Sequence, residues 1–64
     1  MKPKYNVRLK MKDGEWITID NVYDISPSII GSKIKFHLSR YISSDEFVAV
    51  DEDDISIKEI RKIN

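Results

Sequence analysis

Tyr5-Asn6-Val7-Arg8-Leu9-Lys10-Met11-Lys12-Asp13-Gly14-Glu15-Trp16-Ile17-Thr18-Ile19-Asp20-Asn21-Val22 is the stretch whose reading decides the fold. Tyr5, Val7, Leu9 and Met11 are apolar and alternate with Asn6, Arg8, Lys10 and Lys12, the period of two of a half-buried strand. Glu15 to Asp20 is rich in β-branched and aromatic residues, and Asp13-Gly14 between the runs is a strong hairpin signal. Two loop lengths compete. A two-residue Asp13-Gly14 loop opposes Leu9 to Thr18, Lys10 to Ile17 and Arg8 to Ile19, which buries charge or exposes both isoleucines. A three-residue loop, Lys12-Asp13-Gly14, with Gly14 in a left-handed bulge conformation, opposes Leu9 to Ile17, Val7 to Ile19 and Lys10 to Trp16. This second register is the one expected, and it leaves Trp16 outside beside Lys10, with Arg8 and Thr18 in the next rung.

Outward from the hairpin, the apolar positions shift to Val22 and Ile25, so the second strand is expected to bend or bulge near Asn21 and run on to about Ile25. Ser26-Pro27 reads as an N-cap and first helical position, and Gly31 as a stop, enclosing one turn with Ile29 and Ile30; a plain loop is the alternative. Lys33 to Ser39 alternates again, with Ile34, Phe36 and Leu38 inward and Lys33, Lys35 and His37 outward. Ser39 to Asp45 has no period and reads as a loop from which Tyr41 and Ile42 pack onto the core. Glu46 to Val50 is a nearly continuous apolar strand, covered on both faces or touching another chain. Asp51-Glu52-Asp53-Asp54 ends it. From Ile55 the isoleucine spacing supports two readings: a helical turn at Ser56 to Glu59 with a closing strand at Ile60 to Ile63, or a C-terminal helix capped by Asp54.

These elements amount to an all-β chain, a small five-stranded, strongly bent antiparallel barrel with one short helical turn, in a single domain spanning residues 1–64. Its layout resembles the SH3-like and Sm-like barrels in strand count and in the helical turn before a last short strand. At 64 residues the chain is near the lower limit for folding without cross-links, burying only about 60% of its unfolded surface. It has no cysteine and one histidine, which exclude a disulfide framework, a thiolate metal site and a single-chain histidine cluster. No apolar run approaches a membrane span and no signal-peptide pattern is present, so a cytoplasmic protein without membrane contact is expected.

Formal net charge is +0, yet residues 1–40 hold 8 basic and 4 acidic residues, a net of 8 − 4 = +4, and residues 41–64 hold 3 and 7, a net of 3 − 7 = −4. Arg8, Lys10, Trp16 and Thr18, extended by Lys35 and His37 if the third run lies beside the hairpin, form a candidate binding surface. Cations around an exposed indole suit a protein partner, or a single-stranded nucleic acid whose base stacks on tryptophan for about 1–3 kcal/mol. A sequence isoelectric point ≈ 6.6 argues against nucleic acid. Phe47, Val48 and Val50 form a candidate oligomer edge if the valines face outward, giving a homodimer. The six carboxylates between Asp45 and Asp54 lack the spacing of a calcium loop, and no serine or histidine stands in a catalytic pattern, so no metal, cofactor or enzymatic activity is expected. The reading is an interaction module with an unknown protein partner, of the size common among accessory proteins of mobile genetic elements. Nucleic-acid binding and a structural homo-oligomer are the alternatives.

Overall fold

A computed structural model describes residues 2–27, 31–41 and 43–63. Among the described residues six strands form two antiparallel sheets. Strands β1 (Tyr5–Met11), β2 (Trp16–Val22) and β6 (Ile55–Lys62) make the first, in the order β2-β1-β6; β3 (Asp24–Pro27), β4 (Lys33–His37) and β5 (Phe47–Asp51) make the second, in the order β3-β4-β5. The chain is thus mostly β, with one 3-10 turn at Glu52–Asp54 immediately before β6.

The hairpin has the three-residue register. Leu9 opposes Ile17, Val7 opposes Ile19, Arg8 opposes Thr18 and Lys10 opposes Trp16. Gly14 has φ +95°, its amide donates to the Met11 carbonyl at 2.9 Å, and the Met11 amide donates to the Glu15 carbonyl at 2.7 Å. The Asp13 carboxylate accepts from the Glu15 amide, so each residue of the turn supplies what a bulged loop requires. The expected irregularity near Asn21 is also present: Tyr5 opposes Val22 while Val7 opposes Ile19, so β2 carries one extra residue. Asn21 sits at φ 58°, a left-handed conformation that asparagine tolerates better than most side chains, and its amide donates to Asn6 Oδ1 at 3.0 Å. After Val22 the strand breaks at Tyr23 and resumes as β3 in the other sheet, which turns the expected long bent strand into two short ones.

One core joins the sheets. Val7, Leu9, Ile19, Val22 and Ile55 from the first sheet meet Ile34, Phe36 and Val50 from the second. Ile17, Ile25, Leu38, Val48, Tyr5 and Met11 close around them. With so few large side chains buried, each one holds a sizeable share of a stability that is about 3–10 kcal/mol for a chain this short.

Several expectations need correction. Ser26 and Pro27 are strand residues, opposite Lys35 and Ile34, and the Ser26 hydroxyl lies 2.7 Å from His37 Nε2, so Pro27 is not a first helical position; Ser28, Ile29 and Ile30 lie outside the described residues. The helical turn before the last strand falls at Glu52–Asp54, not Ser56 to Glu59, because the Asp51 carboxylate caps it by accepting from the Asp53 amide at 3.0 Å. The whole of Ile55–Lys62 is strand, which excludes the C-terminal helix. Its confusing spacing has a physical cause. Lys10 opposes Ile57 while Met11 opposes Ile55, so Ser56 is an extra residue, and a bulge there turns Ile55 into the core and Ile57 out to solvent. Tyr41 is 61% exposed rather than packed down: Ser39 Oγ holds its amide locally, and Arg40 lies over its ring at 5.1 Å. Ile42 lies outside the described residues.

Candidate binding faces

The outer face of the first sheet is built in rungs. Trp16, Lys10 and Ile57 share one, and Thr18, Arg8 and Glu59 the next; Asn6 and Arg61 are paired beyond it. Period two on β1 and β2 puts Trp16 on this face, and the Ser56 bulge adds Ile57. Trp16 is 43% exposed and Ile57 45%, so an apolar side chain stands on either side of Lys10. Arg8 leans diagonally across: its guanidinium carbon is 4.5 Å from the Trp16 ring centroid, and its Nη1 is 3.6 Å from Glu59 Oε2. Lys10 Nζ lies 6.0 Å from the same ring. Sequence reasoning missed Ile57, Glu59 and Arg61: the Ile55/Ile57 alternation signals a strand but puts both isoleucines on one face, and only the Ser56 bulge separates them.

Lys33, Lys35 and His37 do not extend this surface, because β4 belongs to the other sheet and has no pairing with β1 or β2. They lie on the outer face of β3-β4-β5. There Lys35 Nζ sits 4.8 Å from the centroid of the Phe47 ring, a further cation–aromatic contact. His37 points outward as the alternation requires, yet it is 5% exposed. It occupies the middle strand, where Ser26 Oγ lies 2.7 Å from its Nε2 and the Phe47 ring leans over it with centroids 6.2 Å apart. Alternation assigns a side chain to a face; it does not say whether neighbouring strands cover that face. Nδ1 of His37 is inaccessible to solvent and has no hydrogen-bond partner among the described residues.

The apolar strand β5 is at a sheet edge, but its valines do not face outward. Val50 is buried in the core and Val48 packs against it, while Phe47 points to the opposite face. Opposite Ile34 and Phe36, these valines are drawn inward by the same register that exposes Phe47 and Ala49. The outward valines that a homodimer through Phe47, Val48 and Val50 requires are therefore absent.

The chain was compared with protein-family models, curated proteins and solved structures, and none matches it. The geometry of its own faces therefore carries the functional argument. Two carboxylates of the run Asp51 to Asp54 are used locally: that of Asp51 caps the 3-10 turn and that of Glu52 lies 3.7 Å from Lys58 Nζ. Among the described residues no group of three or more carboxylate or imidazole side chains is placed to hold a metal ion, and no helix is long and apolar enough to cross a membrane.

Proposed function

We propose that this protein is a non-enzymatic interaction module that binds a protein partner through the outer face of β2-β1-β6. The observation that carries the reading is the rung Trp16–Lys10–Ile57, an exposed tryptophan and isoleucine on one face, with Arg8 in the next rung. Tryptophan and arginine dominate the energetics of protein interfaces, and an exposed aromatic held by a cation over its ring is already ordered before a partner arrives. We further propose that the two sheets are the halves of a barrel of the SH3-like kind. In favour stand the order β2-β1-β6 with β3-β4-β5, the chain passing from one sheet to the other at Tyr23, and the 3-10 turn ahead of the last strand.

Nucleic acid is the weaker reading for this face. The Arg8 guanidinium lies 4.5 Å from the Trp16 ring centroid and would have to move aside before a base could stack there. Two measurements test the proposal. Partners captured by in-cell cross-linking from the wild type are expected to be lost from both Trp16→Ala and Ile57→Ser; identical captures by all three remove the face. Tryptophan fluorescence titrated with short single-stranded oligonucleotides at low salt is expected to stay unchanged, and quenching relieved by added salt would replace the protein partner with nucleic acid.

A further inference from the structure

The first sheet has a second recognition element, the free edge of β6. The hydrogen-bond phase along β1 fixes which amides point to it. The Met11 amide donates to the Glu15 carbonyl on the β2 side, whereas the Lys12 amide donates to the Asp54 carbonyl and the Lys4 carbonyl accepts from the Ile63 amide on the β6 side. Backbone groups alternate direction along a strand, so Asn6, Arg8 and Lys10 of β1 face β6, and Arg61, Glu59 and Ile57 face back. The N–H and C=O groups of Lys58, Ile60 and Lys62 consequently point away from β1, and β6 pairs with no other strand among the described residues.

The side chains on this edge carry a pattern. Lys58, Ile60 and Lys62 lie on the face that holds Leu9, Val7 and Tyr5, while Glu59 and Arg61 lie on the other. Ile60 is 47% exposed although its cross-strand neighbour Val7 is fully buried. The apolar stripe of the sheet therefore continues onto the edge without a cover. Beyond the end of β6, an open groove lined by Lys2, Pro3, Lys4, Tyr5, Lys62 and Ile63 adds two more cations in line with the strand.

We propose that the β6 edge binds an extended acidic segment of a partner protein by antiparallel strand addition, with an apolar residue opposite Ile60 and carboxylates opposite Lys58 and Lys62. Strand addition takes its affinity from main-chain bonds and its specificity from alternate side chains. Reading the partner from its N-terminus, the edge asks for an acid against Lys62, an acid against Arg61, an apolar residue against Ile60, a base against Glu59 and an acid against Lys58. A second copy of this chain fits less well. Pairing β6 with itself about Ile60 satisfies Glu59 with Arg61 twice but sets Lys58 against Lys62 twice, like charges directly opposed. The Lys58 contact with Glu52, at 3.7 Å between exposed side chains, is weak enough to yield to an incoming carboxylate. The edge does not use Trp16, although two of its residues, Glu59 and Arg61, also stand on the Trp16 face.

The test uses the blocked peptide Thr-Glu-Asp-Val-Lys-Glu-Thr and a control in which its two glutamates are lysines, titrated at low salt into the whole chain. Binding of the first is expected to slow hydrogen exchange at the Lys58, Ile60 and Lys62 amides and to be about tenfold tighter than that of the control. Lys58→Glu combined with Lys62→Glu is expected to reverse the preference, and Trp16→Ala to leave it unchanged. If the charge-reversed variant fails to fold, the wild-type preference decides alone. Equal affinity for the two peptides, or no protection of these amides at millimolar peptide, overturns the proposal. So does protection of the same amides without peptide in a sedimenting dimer, which assigns the edge to a second copy.

Discussion

The Arg8 guanidinium lies 4.5 Å from the Trp16 ring centroid and, at the same time, 3.6 Å from Glu59 Oε2. One side chain thereby ties β2, β1 and β6 together across the outer face of the sheet. Both partners remain partly exposed, so the arrangement is worth little in stability and more in order. A double-mutant cycle with Arg8→Leu and Trp16→Leu is expected to return a coupling of about 0.5–1 kcal/mol. Denaturation midpoints measure it, and a coupling indistinguishable from zero would dissolve the pre-ordered face.

Gly14 isolates the cost of backbone conformation. A Cβ built there meets nothing within 4 Å, so Gly14→Ala is charged only for holding φ +95° with an L residue. The expected loss is about 1–2 kcal/mol. D-alanine placed there by chemical synthesis should be close to neutral, and equal losses for both enantiomers would mean that crowding, not chirality, governs the turn.

At Asn21, φ 58° makes the converse prediction, with glycine introduced rather than removed. Asn21→Gly is expected to change stability by only a few tenths of a kcal/mol, whereas Asn21→Val should cost about 1–2 kcal/mol, since β-branching is least tolerated there. Thermal melts of the two variants give the comparison. A tolerated valine would show that the bulge is not needed to deliver Val22 to the core.

His37 and Ser26 form a covered polar pair on the outer face of the second sheet. Ser26→Ala leaves the imidazole without its one hydrogen-bond partner and should destabilise by about 1–3 kcal/mol. Adding His37→Phe to that variant removes the polar group itself and should recover most of the loss, because apolar replacement of both partners is often nearly neutral. Should the double variant be less stable than Ser26→Ala alone, shape rather than hydrogen bonding holds the site.

Phe36 is fully buried in the middle strand of the second sheet, and Leu9 is fully buried in the middle strand of the first. Phe36→Ala is expected to cost about 3–5 kcal/mol and Leu9→Ala about 2–5 kcal/mol. Either loss is a large share of the roughly 3–10 kcal/mol available to a chain this short, so both denaturation midpoints should fall sharply. A Phe36→Ala loss of under about 1 kcal/mol would mean that Phe36 does not hold the two sheets together.

The amino-acid sequence by itself determined the hairpin. Period two fixes which residues share a face, a slip of one residue inverts that assignment, and only the three-residue loop buries Leu9, Ile17, Val7 and Ile19 together; Trp16 outside beside Lys10 follows from that alone. The alternation of Lys33 to Ser39 is equally plain, as are the bend near Asn21 and the apolar run Glu46 to Val50, which become strands at Lys33–His37 and Phe47–Asp51. What tertiary structure decided is which strand lies beside which and what covers each face. Pairing β6 with β1 brought Ile57, Glu59 and Arg61 to the Trp16 face and sent Lys35 and His37 to another sheet. Coverage by Ser26 and Phe47 buried a histidine that alternation placed outward, and the Ser56 bulge set Ile55 and Ile57 on opposite faces despite their spacing. Local pattern encodes direction relative to one strand; neighbours, and bulges that shift the phase, exist only once distant segments have paired.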